Sequence, residues 1–314
     1  MQNEFADSRG LDVELRTDTV INVAAVPHRS PFRYPGGKTW LVPHVRNWLR
    51  SLPQCPREVI EPFAGGAIVG LSVLFEGLTD RLTLVELDED VAAVWKVVLN
   101  GGAQTLAQRI TRFDVNPKTV KAILEAEPVS LVDRAFATIV RNRVQRGGIM
   151  APGASLMKQG ENGKGLRSRW YPDTLRRRIE AISEMKNHIS FLCEDGLAFV
   201  RHHAHRPDVA FFIDPPYTVA GRRLYKHPNI DHEELFRVAG TIQGDFLMTY
   251  DNTPEIRSLA RRMRFDIQEV AMKNTHHEVM RELLIGRRLD WARVSVTCRG
   301  SSPQTSLSLV VFPQ

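Results

Sequence analysis

The feature that most constrains this chain is a repeated unit: a short apolar run, a polar or glycine turn, then a segment of helical character. Arg57 to Glu61 has the length and apolar centre of a strand, Pro62 to Gly66 forms a turn, and Ala67 to about Glu76 continues as a helix. Leu82 to Glu86 and Asp88 to Leu99 repeat the strand and helix. Strands alternating with helices at this spacing predict a parallel sheet covered on both faces. The rhythm stops between about 101 and 189. It resumes with strands at Ile189 to Cys193, Val209 to Ile213, Asp245 to Tyr250 and Glu282 to Ile285. The expected class is α/β: one doubly wound, mixed sheet with a mostly helical module inserted between its halves. The core is read as 29–110 plus 189–286 and the insert as 111–188. Extensions lie at 1–28 and 287–314, the second with two short strands, Ala292 to Thr297 and Leu307 to Phe312.

Charge separates the insert from the rest. The chain is +6 overall, with 33 Arg against 9 Lys. Arg presents a planar fork of donors suited to phosphate and to guanine edges. A genome whose base composition favours Arg codons accounts for that ratio equally well. It does not account for the location: Arg134 to Arg178 holds nine Arg and two Lys against only Glu161 and Asp173, a local +9 that leaves the remainder at −3. Such concentration is expected where one module meets a phosphate backbone. Gly147, Gly148, Gly153 and the 160–165 stretch suggest a flexible loop or hairpin that could enter a groove, and the alternative is a solvated, mobile surface loop with counterions.

Several classes are excluded. Cys55, Cys193 and Cys298 are far apart without a CxxC, against both a disulfide framework and a zinc ribbon and in keeping with a cytoplasmic protein. The run from Val20 to Val26 is too short to span a membrane and has no signal-peptide flank. A GxxxxGK[ST] phosphate loop is absent. His202, His203 and His205, like His276 and His277, lack partners at ligand spacing, so no metal is expected.

Chemistry concentrates in a few turns. Asp214-Pro215-Pro216-Tyr217 directly follows the apolar run Val209 to Ile213, which places it at the carboxyl end of a strand, where open α/β sheets bind ligands. Two prolines remove two backbone donors and leave carbonyl acceptors such as that of Pro215. A carboxylate beside a bare carbonyl receives an exocyclic amino group, and a neighbouring tyrosine can stack on a base. The same place in the earlier unit holds Phe63-Ala64-Gly65-Gly66, where glycines allow backbone to approach a cofactor and the helix end adds donors. About twenty residues on, Glu86 ends the next strand, the position of an acid that holds ribose hydroxyls. Tyr34-Pro35-Gly36-Gly37-Lys38 is a second glycine turn, ending in a cation.

In this order the segments resemble the Dam-type DNA adenine methyltransferases, with cofactor motifs first, target recognition next and DPPY last. The resemblance runs over about 31–286. It includes Asn142-Arg143 with Gly147-Gly148, the run Phe246 to Tyr250, and the run Arg281 to Ile285. It implies a Rossmann-like core and S-adenosylmethionine as cofactor, lying over Phe63, Ala64, Gly65 and Gly66. Tyr34, Gly36, Gly37 and Lys38 would close over its methionine end, Glu86 would hold the ribose, and Asp195 would sit near the adenine ring. Two departures stand out: Ala67 occupies the second glycine of the family's FxGxG, and Glu86 replaces the usual Asp, with Asp88 nearby as a rival.

The resemblance also implies the reaction, methyl transfer to the 6-amino group of an adenine flipped out of duplex DNA. Asp214, Pro215, Pro216 and Tyr217 would form the catalytic set, and Arg141, Arg143, Arg146, Arg167 and Arg169 are candidates for DNA contact. Rival readings are an adenine in RNA, the 4-amino group of cytosine, a Rossmann oxidoreductase and a non-catalytic DNA-binding relic. The expected partner is duplex DNA, with no membrane and with the chain a monomer or weak dimer; a solitary enzyme and one paired with a cognate restriction nuclease both stay open.

Overall fold

The computed structural model describes residues 22–33, 37–150, 154–158, 160, 163–217, 230–273 and 279–293. Seven strands form one sheet: β1 Glu58–Glu61, β2 Arg81–Val85, β3 Ile189–Leu192, β4 Val209–Ile213, β5 Asp245–Asp251, β6 Asp266–Lys273 and β7 Val279–Gly286. Their order is β3-β2-β1-β4-β5-β7-β6. The first five are parallel, and β7 runs antiparallel to both its neighbours, so the sheet is mixed. The chain moves outward from β1 through β2 to β3, then returns to place β4 on the other side of β1. That reversal is a topological switch point, where the crevice at the strands' carboxyl ends accepts ligands.

Strand periodicity builds a core on each face. Val59 and Ile60, Phe211 and Phe212, Phe246 and Leu247, and Leu283 and Leu284 fall pairwise into opposite apolar clusters, as alternation of side chains across a pleated strand requires. One face is covered by α1 Val42–Ser51, α2 Ile68–Phe75, α3 Glu89–Leu99, α4 Ala103–Arg112, α5 Pro117–Glu125, α6 Leu131–Val144 and α7 Pro172–Glu184. The other is covered by α8 Gly196–His203, α9 His232–Ala239 and α10 Pro254–Arg262. Polar caps begin many of these helices. The side chains of Asp88, Ser130, Asp195, Asp231 and Thr253 each accept a backbone N–H of the first turn, and Asn116 and Thr119 form a reciprocal capping box.

Helices α6 and α7 carry the two ends of the basic segment and join the core. Helix α6 lies along α3 and α7 along α4, and Phe136, Ile139, Leu175 and Ile179 share the cluster that contains Trp95 and Leu106. The boundary drawn at 110–111 falls within α4. Part of the concentrated charge is spent on this docking: Arg134 reaches Glu89 at 3.1 Å and Asp90 at 3.2 Å, and Arg141 reaches Asp90 at 3.5 Å.

Two sequence expectations need correction. Residues 292–293, read as the start of a strand, end a short helix, α11 Asp290–Arg293. Its Arg293 Nε donates to Gln268 Oε1 at 3.3 Å, which holds the turn against β6. Strand β6 itself was not anticipated, because Asp266 to Lys273 carries charged and amide residues at an edge of the sheet, where one side of the ladder faces solvent. The second expected strand, Leu307 to Phe312, lies outside the described residues. Among the described residues no helix is long and apolar enough to cross a membrane.

Candidate active site

Parallel pairing of β1 with β4 brings the two chemistry-bearing turns together at the switch point. The turn after β1 is tightly fixed. Gly65 takes a φ of +46°, its N–H donates to Glu86 Oε2 at 2.8 Å, and its carbonyl accepts the Trp95 indole N–H at 3.0 Å. Glu86 Oε1 accepts the N–H of Asp88, also at 2.8 Å. Burial pushes the Glu86 carboxyl up to about 7 against those stabilising bonds. Asp88, the rival for the ribose position, instead caps α3. Ala67 adopts the left-handed conformation, φ +49° and ψ +35°, as the residue that enters α2. Ala67 thus takes, with its methyl group, a backbone conformation that glycine adopts without strain.

The turn after β3 closes on the same place. A Cβ built on Gly196 would lie 1.9 Å from the Pro62 carbonyl oxygen and 2.9 Å from the Phe63 ring. Only glycine permits that approach. It sets the exposed Asp195, whose Oδ1 accepts the Ala198 N–H at 2.7 Å, beside the glycine turn. Phe63, Gly65, Glu86 and Asp195 thus lie around one turn.

Directly after β4, Asp214 is held by strand β5: Thr249, fully buried, donates its hydroxyl to Asp214 Oδ1 at 2.7 Å. Among the described residues no N–H donates to the Pro215 carbonyl. Tyr217 lies nearly parallel to Tyr250, with centroids 6.2 Å apart and an interplanar angle of 21°. Lys38 belongs to this group. It is 5% exposed, with Nζ 3.3 Å from Asp214 Oδ1 and 2.9 Å from Glu282 Oε2. It also donates to the Tyr217 hydroxyl, which in turn donates to Glu282 Oε2 at 2.7 Å. Glu282 enters from β7, opposite Asp251 of β5 in the ladder. Tyr34 and Gly36 lie outside the described residues, and Gly37 caps the 3-10 turn that Lys38 begins.

Thr249 and Glu282 escaped the sequence reading as individual residues. A signal for them existed, since each is a polar residue within an apolar strand run, where alternation points some side chains inward.

The chain leading to Lys38 is bolted to the basic segment. Asn142 on α6 accepts the Arg33 N–H at 2.9 Å and donates to the Arg33 carbonyl at 2.7 Å and the Gly148 carbonyl at 3.1 Å. Gly148, with φ +75°, packs so closely that a Cβ would sit 2.4 Å from the Arg33 carbonyl oxygen. Arg178 donates to the Ser30 carbonyl at 3.1 Å. Arg143, a candidate for DNA contact, is instead internal: it is 3% exposed and donates to the Pro31 carbonyl. Burial, with Arg178, Arg33 and Arg169 close by, lowers its guanidinium to about 9. A side chain so enclosed braces the Ser30–Arg33 segment and does not reach a partner's surface. Arg169 is half-buried and Arg141 is tied to Asp90. Arg146 is exposed, and Arg167 is 63% exposed while bonding Asp114 at 2.7 Å.

No curated protein matches the chain in sequence. Similar solved structures include the rRNA methyltransferase AviRa from Streptomyces viridochromogenes, at 12% identity over 89% of this chain and 97% of that one, with a TM-score of 0.41. A candidate RNA methyltransferase from Pyrococcus horikoshii is similar at 10% identity over 84% and 92%, with a TM-score of 0.39. Spermidine synthase in complex with a transition-state analogue is similar at 11% identity over 80% and 59%, with a TM-score of 0.35. The family model for D12 class N6 adenine-specific DNA methyltransferases matches residues 34–275. With that span containing both turns, Lys38, the basic segment and strand β5, the chain belongs to the D12 class N6 adenine-specific DNA methyltransferase family.

Proposed function

We propose that this methyltransferase uses S-adenosylmethionine to methylate the exocyclic 6-amino group of an adenine flipped out of duplex DNA. The observation that carries the reading is the pair of acceptors at the carboxyl end of β4. The Asp214 carboxylate is oriented by buried Thr249, and the adjacent Pro215 carbonyl accepts no described N–H. Two fixed acceptors side by side match the two hydrogens of an amino group.

The residues at the neighbouring turn fit the cofactor. Both Glu86 oxygens already bond one N–H each, and a carboxylate oxygen has a second lone pair for a ribose hydroxyl. Gly65 and Gly66 keep side chains off the cradle, and the Glu61 carboxyl beneath it has an oxygen with no partner among the described residues. Phe63, Gly65, Glu86 and Asp195 would hold the nucleoside end, and Lys38 lies at the other side of the crevice. When bound, the cofactor supplies an electrophilic methyl group.

The chain's own task is to make a poor nucleophile reactive. The lone pair of an adenine amino group is delocalised into the ring. Acceptance of its two hydrogens by Asp214 and Pro215 favours a tetrahedral nitrogen, and the fixed carboxylate stabilises the positive charge that develops there. Holding both reactants in one crevice contributes further, up to ~7–11 kcal/mol in favourable cases. Extraction of a base from the duplex costs a few kcal/mol. Stacking on Tyr217 offsets roughly 1–3 kcal/mol of it. Exposed Arg146 and Arg167 are the proposed contacts to the DNA backbone.

The test is transfer of a labelled methyl group to unmethylated duplex DNA or to RNA, followed by identification of the modified base. The expected product is N6-methyladenine in DNA. Asp214→Ala is expected to abolish transfer while cofactor binding, measured by calorimetry, survives. Label in RNA or on cytosine, or full activity of that variant, refutes the reading.

A further inference from the structure

Among the described residues Lys38 lies between the carboxylates of Asp214 and Glu282, and their arrangement assigns a role to the second acid. Lys38 Nζ is 2.9 Å from Glu282 Oε2 but 3.3 Å from Asp214 Oδ1. Glu282 is itself 8% exposed, and the same Oε2 accepts the Tyr217 hydroxyl at 2.7 Å. We propose that Glu282 is a positioning residue: it draws the Lys38 ammonium toward itself and leaves Asp214 the longer contact of 3.3 Å, so that the Asp214 carboxylate stays available to the amino group of the target base. The proposal rests on the reading of Asp214 given above and deepens it.

The physical argument concerns charge and space. A buried ammonium moves toward whichever carboxylate gives it the shorter contact, because ion-pair energy rises steeply at low dielectric. If Glu282 were neutral, Lys38 would settle on Asp214 Oδ1, which Thr249 already occupies. The ammonium would then neutralise the acceptor and fill the place where an amino group must sit. With Glu282 ionised, Lys38, Asp214 and Glu282 together carry one net negative charge, and that charge faces the nitrogen as it becomes positive. Tyr217 is drawn in by the same carboxylate, which sets the plane of the ring that would stack on the base.

Among the described residues, the groups facing Glu282 are Lys38 from the 3-10 turn, Asp214 and Tyr217 from the loop after β4, and Asp251 opposite it on β5. Its β6 neighbour, Val270, is apolar. Burial raises the Glu282 carboxyl most, the Lys38 charge lowers it and the Asp214 charge raises it again. Its protonation would release Lys38 onto Asp214 as pH falls.

Two measurements test the proposal. In the protein labelled with 15N-lysine, free of DNA, the Lys38 ammonium gives a solvent-protected signal, assigned by its loss in Lys38→Met. That signal is expected to shift in Glu282→Gln, as the ammonium leaves Glu282 for Asp214, while the other lysine signals and the melting temperature hold; an unshifted signal overturns the proposal. In single-turnover assays Glu282→Gln is expected to slow methyl transfer roughly a hundredfold and to lack the acid limb of the wild-type pH profile. The Lys38→Met/Glu282→Gln double variant should be no slower than Lys38→Met alone. A wild-type rate, an unchanged acid limb or additive losses in the double variant overturn the role of Glu282. A wild-type protein that methylates no nucleic acid refutes the proposed function instead, and the ammonium signal then decides this inference by itself.

Discussion

Glu61 ends β1 beneath the glycine turn, wholly enclosed. Its Oε1 accepts the Gly70 N–H at 2.8 Å, and its Oε2 has no hydrogen-bond partner among the described residues. Burial is the main influence on it. Opposed by the Gly70 bond and aided by the nearby Asp214 charge, burial raises the carboxyl from 4.5 to about 8. The folded protein therefore holds this proton more tightly than the unfolded chain does. The resulting stability is fully present below pH 4.5 and is lost as pH rises through 8. At 1.36 kcal/mol per pH unit, the interval from 4.5 to about 8 amounts to about 5 kcal/mol. Glu61→Gln keeps the acceptor for Gly70 and mimics the protonated acid, so it removes this linkage and little else. The variant should match the wild type near pH 4 and exceed it by about 5 kcal/mol near pH 9, a large part of the ~5–15 kcal/mol typical of a folded protein. Urea unfolding of both proteins followed by circular dichroism at several pH values, at constant ionic strength, measures the difference directly. A difference that stays constant within about 1 kcal/mol from pH 4 to 9 would refute the reasoning, since it would mean that Glu61 ionises in the folded state as freely as in water.

Other contacts make separate predictions. Asn142→Ala removes both of its bonds to the Arg33 peptide and should destabilise by about 1–3 kcal/mol. Gly148→Ala drives a Cβ against the same carbonyl at a positive φ and should cost a similar ~1–3 kcal/mol. Because both act on the Arg33 peptide, thermal melts of the double variant should show less than the sum of the two losses. Gly196→Ala should displace the Pro62–Phe63 backbone and weaken cofactor binding at least tenfold by calorimetry, an effect of about 1.4 kcal/mol. Wild-type affinity in that variant would detach the β3–α8 turn from the cofactor cradle.

Much of this architecture was legible in the chain because local rules and tertiary structure agree. The runs at 82–86, 189–193, 209–213 and 245–250 are apolar and bounded by turns, and each became a parallel strand within a residue of its expected limits. Strand β6 was not legible, because an edge strand exposes one side and tolerates residues that read as loop. The basic segment was legible as a feature and misread in detail. Composition counts Arg143 with Arg146 and Arg167, and only packing separates a buried brace for Pro31 from side chains that reach solvent.

The same division runs through the site. The sequence by itself determined which turns carry chemistry, since a carboxylate and a bare carbonyl after a strand, or a glycine turn ahead of a helix, are local properties of a few adjacent residues. Tertiary structure alone decided that Lys38, Asp214, Tyr217, Thr249 and Glu282 share one pocket. Glu282 lies 244 positions from Lys38 in the chain and is brought to it only because β7 inserts antiparallel beside β5. No local pattern encodes that pairing. It depends on strand order, which the whole sheet settles at once by burying both of its faces.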